Sequence, residues 1–157
     1  HAHTLRRALA RTSAYDFVLC DCPPALGNIT LNALTAADLL LIPTQCEYFS
    51  AHGLNEVIET VRFVRERTNP RLSYRILITM FDRRNRVHHT LHERIKNAFG
   101  EALFETMIET DTKLRESPVF GQPITHYAPN SRAAQQYRAL AEEFLRYAQQ
   151  QKTAQPA

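Results

Sequence analysis

The sequence predicts an α/β fold: a three-layer, mostly parallel sheet flanked by helices. Three observations predict it. The apolar runs at 17–20, 39–42 and 74–80 are short and continuous, as strands buried on both faces are. The stretches between them carry apolar residues at helical spacing. Proline, aspartate or asparagine breaks the chain near the run and helix ends, and strands alternating with helices build a parallel sheet. With 157 residues, 44% hydrophobic and 22% charged, the chain suits one globular domain with a sizeable core. No apolar run approaches the ~18 residues of a membrane span.

The elements follow in order. Leu5, Ala8 and Leu9 mark residues 1–14 as the end of an amphipathic helix. The core runs over 15–148. Phe17, Val18, Leu19 and Cys20 form the first strand, ended by Asp21 and by Pro23-Pro24. A short helix covers 29–37, and a second strand at 39–42 ends at Pro43. Leu54, Val57, Ile58, Val61 and Val64 keep the period of a helix. Asn69-Pro70 breaks it before a third strand at 74–80. Leu91, Ile95, Ala98 and Phe99 mark another helix, with Gly100 as its C-cap. A short fourth strand is expected at 103–108 and an irregular stretch at 110–130. Ser131 is the N-cap of a last helix whose stripe is Tyr137, Leu140, Ala141, Phe144, Leu145 and Ala148. Residues 149–157 are polar and expected to fray.

The net charge of +3 hides a block pattern. Residues 16–61 carry no Lys or Arg but six acids, whereas residues 62–96 carry ten basic residues against Glu66, Asp82 and Glu93. This Arg-rich third reads either as a phosphate-contacting surface or as a solvated helix face, and composition leaves both open. Cys20, Cys22 and Cys46 lack zinc-ligand or disulfide spacing and are expected to be buried thiols. His88 and His92 share a helix face. Without a supporting ligand at a matching spacing, these two and His89 are expected to be solvated surface residues rather than a metal site.

In parallel sheets, ligands sit at the carboxyl ends of the strands, here 21–24, 43–49 and 79–86. A hydrophobic strand ending in Asp21 holds a carboxylate where it can meet Mg²⁺, though turn and cap aspartates make the same pattern.

The longer context is more specific. Tyr15-Asp16-Phe17-Val18-Leu19-Cys20-Asp21-Cys22-Pro23-Pro24-Ala25-Leu26-Gly27 closely resembles the Walker B region of ParA/Soj-type partition ATPases, a family with a deviant P-loop. Thr30 to Asp38 resembles its continuation. Ile42-Pro43-Thr44-Gln45-Cys46-Glu47 and the residues to Leu54 resemble the next strand and loop. Ile78-Thr79-Met80-Phe81-Asp82-Arg83-Arg84 resembles the strand-loop near the adenine base. Lys113-Leu114-Arg115-Glu116-Ser117-Pro118-Val119-Phe120-Gly121-Gln122-Pro123 resembles the family's R-L-S-E-A-P-S-F-G-K-P loop, and Ser131 to Leu140 its terminal helix. The match is colinear from Tyr15 to Phe144.

The resemblance implies a P-loop NTPase-like fold, incomplete at the N-terminus, and a cytoplasmic, nucleoid-associated protein. In its complete form such a protein binds ATP and Mg²⁺, dimerises, binds DNA non-specifically and answers to a ParB-like stimulator. It implies Mg²⁺ coordination through water for Asp21, and a switch and dimer region at Pro23, Pro24 and Asn32, with Gln45 and Glu47 nearby. Met80 and Asp82 would read the adenine, with Pro118 covering its other side. Lys113 and Arg115 fall in the DNA-contacting loop, and Arg83, Arg84 and Arg86 are further candidates. Lys113 and Arg115 replace the usual Arg and Ser, keeping positive charge and adding one unit.

One departure weighs against turnover. No G-x-x-x-x-G-K-[ST] or related phosphate loop occurs in the 157 residues, whose four glycines are isolated. The sequence opens on His1, and the chain is expected to be the C-terminal portion of such an ATPase, inactive alone. It is also expected to expose the edge of the 17–21 strand and to self-associate. The competing reading is a non-enzymatic remnant or regulator that binds DNA or a partner. A MinD-like membrane role fails for want of an apolar face in the tail, and an iron–sulfur role fails because Cys46 belongs to a different motif from Cys20 and Cys22.

Overall fold

The computed structural model describes residues 3–12, 14–25, 27–47 and 50–154. Its elements, in chain order, are α1 (Thr4–Leu9), α2 (Asn28–Ala36), β1 (Leu39–Gln45), α3 (Ser50–Arg67), β2 (Ser73–Thr79), α4 (Arg86–Phe99), α5 (Thr112–Glu116), α6 (Ile124–Tyr127) and α7 (Arg132–Ala154). Short 3-10 turns cover Gly100–Ala102 and Ser117–Phe120. The chain is α/β, with parallel strands flanked by helices. It divides into two compact units, one of residues 1–42 and 51–75, the other of 43–50 and 76–157.

In the first unit, β1 and β2 start side by side: the Ser73 N–H donates to the Asp38 carbonyl at 3.0 Å. Leu34, Val61, Val64 and Leu72 close a core against which Leu31, Ala37, Leu40 and Tyr74 pack. The stripe read from α3 is the buried one, with Leu54, Ile58, Val61 and Val64 all under a tenth exposed. Asn69 is buried at 2% exposure and ties the unit together. Its amide donates to the Leu34 and Ala37 carbonyls at 2.9 and 2.7 Å, and its oxygen accepts from Arg6 at 3.2 Å.

The apolar run at 17–20 departs from expectation. It forms no strand, and Phe17, Val18 and Leu19 are 44%, 50% and 86% exposed. An apolar run becomes a strand only by pairing, and the described sheet contains β1 and β2 alone. β1 likewise runs past its expected stop, through Pro43 to Gln45. Proline is tolerated in a strand where its missing N–H falls on an unpaired edge.

In the second unit, the expected fourth strand is reduced to two parallel bridges, Ile76 with Leu103 and Phe81 with Glu109. Segment 103–110 nevertheless lies beside β2. The N–H groups of Phe104 and Ile108 donate to Ile76 and Ile78 at 2.9 Å each, and that of Thr110 to Phe81 at 3.0 Å. Three more of its N–H groups are met by side chains of α7. Glu143 accepts from Glu105 and Thr106 at 2.7 and 3.0 Å, and Gln136 accepts from Glu109 at 3.0 Å.

These contacts set the rotation of α7. Its inward face carries Ala133, Ala134, Gln136, Glu143 and Tyr147, while Tyr137 and Leu145 of the expected stripe are 39% and 43% exposed and Ala141 is exposed too. Ser131 caps the helix as expected, accepting from Ala134 at 3.2 Å. α7 continues through Ala154 rather than fraying at 149. Gly100 is the C-cap of α4 as expected, though right-handed (φ −52°) and leading into a 3-10 turn. The stretch 110–130 is built of short helical turns, and its one glycine, Gly121, takes φ +60° to end one.

Candidate functional site

In the second unit the backbone is strained just past the end of β2. Met80 has φ +53°, the one left-handed non-glycine among the described residues. A side chain in that region costs on the order of 1 kcal/mol, and such strain gathers at functional sites. Met80 is 43% exposed, and its sulfur accepts from the Gln45 amide of β1 at 3.2 Å. The ends of both strands thus meet at a thioether and an amide, while Glu47 just beyond β1 is exposed.

Two residues on, Asp82 is engaged by its own loop. Its Oδ1 accepts from the Arg84 N–H at 2.9 Å and from Arg84 Nε at 3.1 Å, and its Oδ2 from a second guanidinium nitrogen at 3.1 Å. These bonds hold the carboxyl pKa down, from 3.8 to about 2. The same contact raises the pKa of Arg84. The Asp82 backbone N–H donates to His88 Nδ1 at 3.0 Å. Phe81, 3% exposed, has its ring within 5.8, 5.1 and 5.9 Å of those of His88, His89 and His92. His88 and His92 are therefore half-buried packing groups rather than free surface side chains, whereas His89 is exposed as expected. Among the described residues no cluster of three His, Cys, Asp or Glu could hold a metal ion.

The cations expected to meet phosphate differ in how they are held. Arg83 Nη2 lies 2.7 Å from Oε1 of Glu109, a carboxylate only 3% exposed. Arg132 Nη1 lies 3.1 Å from Oε2 of the same carboxylate, and Gln136 Nε2 donates to Oε1 at 2.7 Å. Arg132 also donates to the Thr110 carbonyl at 2.8 Å. Arg86, in the first turn of α4, is exposed. Lys113 Nζ pairs with Glu116 at 2.9 Å and faces the Tyr127 ring at 5.9 Å. The hydrogen bond from Lys113 raises its pKa and lowers that of Glu116. Arg115 is exposed. Pro118 sits exposed in the 3-10 turn, followed by Val119 and Phe120 at 81% and 62% exposure. Phe120 stacks on Tyr127 with ring centroids 5.1 Å apart.

The other candidates belong to the first unit. Asp21, Pro23 and Pro24 lie exposed in the irregular stretch before α2. Asn32, on α2, accepts from the Leu5 N–H at 3.0 Å and so holds the first turn of α1. Cys20 and Cys22 are exposed, not buried as expected. Only Cys46, in the second unit, is buried, and burial pushes its thiol up to about 11. Partial desolvation, then Cys20 and Asp21, raises the Cys22 thiol as well.

Sequence reasoning missed Glu109, Arg132 and Gln136. The signal for Glu109 was slight: an acid directly after the expected strand at 103–108, as Asp21 follows the run at 17–20. Its partners are 23 and 27 residues further along, where no local pattern links them.

Comparison with known proteins gives consistent results. A family model described as an AAA domain matches residues 2–74. The chromosome partitioning protein ParA of Myxococcus xanthus is 42% identical over 144 residues, covering 90% of this chain and 51% of that protein. The sporulation initiation inhibitor protein Soj of Bacillus subtilis is 42% identical over 141 residues, covering 88% of this chain and 56% of that protein. The chain therefore spans about half the length of the curated relatives it matches. Among solved structures, cobyrinic acid a,c-diamide synthase from Mycobacterium smegmatis superposes with a TM-score of 0.75 at 30% identity, over 93% of this chain and 54% of that one. A form of that protein with ADP and magnesium bound superposes with a TM-score of 0.58 over 62% of this chain and 41% of that one, at 35% identity. A plasmid partition protein from Borrelia burgdorferi, at 23% identity and a TM-score of 0.69 over 93% of this chain and 53% of that one, shares the fold. No helix among the described residues is long and apolar enough to cross a membrane.

Proposed function

Because this chain belongs to the ParA/Soj-type family of partition ATPases, we propose that it forms the base-reading and DNA-contacting portion of an ATP-dependent partition protein. In that protein an ATP-gated homodimer binds DNA non-specifically in the cytoplasm, on the nucleoid, and a ParB-like partner stimulates hydrolysis. The observation that carries the reading is the strained Met80, held by Gln45 and followed by Asp82 at the end of β2. A thioether lies well on the face of a purine, and a carboxylate accepts from an exocyclic amine. Arg84 takes three of the roughly four acceptor positions of Asp82, which leaves one on Oδ2 for a base. Pro118 is the proposed cover for the base.

Asp21 is the proposed magnesium contact. Magnesium is commonly bound through one or two carboxylates, with phosphates and waters completing the shell. The residues present fit that role only as one ligand. The ion, when bound, would neutralise phosphate charge; the residues of this chain would orient the base and meet the DNA backbone. Pro23, Pro24, Asn32 and Glu47 are the proposed switch and dimer elements.

A second reading is a DNA- or partner-binding regulator without turnover, for which the exposed Arg83, Arg86 and Arg115 would suffice. Calorimetric titration with adenosine and with guanosine separates the two. The first reading expects adenosine to bind in preference to guanosine, and Asp82→Ala to weaken it by about tenfold, the value of one hydrogen bond to a charged group. Equal response to both nucleosides, or none, sinks the base-reading site and leaves the second reading.

A further inference from the structure

Glu109 is a buried carboxylate with more positive charge around it than it needs. Arg132 and Gln136 already meet its oxygens, and Arg132 is fixed a second time by the Thr110 carbonyl. Arg83 brings a second guanidinium, so the cluster carries one net positive charge. Only Nη2 of Arg83 is engaged, and its side chain is 70% exposed. Its Nε and Nη1 meet no other group among the described residues. A guanidinium gripped at one end by a buried acid presents the rest of its fork in a fixed direction, and the planar fork matches the oxygens of a phosphate. Arg84 and Lys113, by contrast, are tied to partly exposed acids within three residues of themselves, and such pairs hold weakly.

We propose that Arg83 is the preorganised phosphate contact of this chain, and that Glu109, backed by Arg132 and Gln136, is its positioning residue. This rests on the DNA-contacting reading above and specifies which of its cations is set in place before the ligand arrives. Holding a long side chain in its bound geometry lowers the ordering entropy lost on binding.

The proposal predicts an effect opposite in sign to simple electrostatics. Glu109→Gln removes a negative charge beside the site, which by charge alone strengthens DNA binding. Loss of the anchor instead weakens it. The measurement is the affinity of the full chain for a random-sequence duplex over a salt series. Glu109→Gln is expected to bind about threefold to tenfold more weakly. Arg83→Ala should lower the salt slope by about 0.9, one phosphate contact, and adding Glu109→Gln to it should cost nothing more. Arg83→Lys, a change on an exposed side chain, keeps the charge but not the fork; it should lose affinity at unchanged slope, and carries the test if Glu109→Gln does not fold. Tighter binding by Glu109→Gln, or wild-type affinity in Arg83→Lys, overturns the proposal and leaves the DNA reading standing. A wild-type chain without salt-dependent binding overturns both.

Discussion

Asp82 and Arg84 grip each other within one turn of chain, and the carboxylate is the more perturbed partner. The hydrogen bonds from the Arg84 side chain, then its backbone N–H, lower the Asp82 pKa from 3.8 to about 2. A carboxyl depressed by folding contributes its stabilisation above the ordinary value and loses it as pH falls from near 4 through 2. Carboxyl-resolved NMR titration should find Asp82 as the acid titrating near 2, and Arg84→Ala should return it towards the ordinary range. An unchanged titration in that variant would disprove the pairing. Because both groups are solvent-facing, the global effect on stability is expected to be small. The sequence assigned Asp82 to a base and Arg84 to DNA, so a contact between near neighbours went unread. Glu109 is the distant case: its environment depends on the docking of α7, and no spacing rule predicts a partner 27 residues away.

At the scale of elements, Asn69 decides how α1, α2 and α3 meet. The sequence marks it only as a helix breaker before Pro70. In the fold its side-chain amide ends α2, through the Leu34 and Ala37 carbonyls, and its backbone N–H ends α3, donating to Val64 at 2.8 Å. Replacing it by Leu keeps volume but leaves buried acceptors without a donor. A loss of about 2–4 kcal/mol is expected in urea unfolding; a loss below ~1 kcal/mol would mean that water replaces the amide. The stripe of α3 was readable because its inward face is purely apolar. That of α7 was not, because polar side chains turn inward to meet backbone N–H groups, and hydropathy assigns Gln136 and Glu143 to the solvent side. The run at 17–20 misled for a related reason: periodicity records what a segment can bury, not whether a neighbour is there to pair with it.

For the whole molecule, the fold class was legible because the alternation of runs and spacings survives local errors of register. The exposed Phe17, Val18 and Leu19, with Tyr15 at 73%, form an apolar stretch open to water. An exposed apolar stretch of this kind recruits other chains. Sedimentation should therefore show association that grows with concentration, and Leu19→Lys with Val18→Lys should reduce it. A wild-type chain that stays monomeric across the range would show that the stretch is covered in solution.

Segment 103–110 behaves differently. Alternate amides face β2, and Glu143 and Gln136 take those of Glu105, Thr106 and Glu109 on its far flank. A strand arriving from another molecule would have to displace a carboxylate and an amide to reach those three N–H groups. α7 thus seals this margin against templated growth, so that propagation into fibres through segment 103–110 has no open end from which to start.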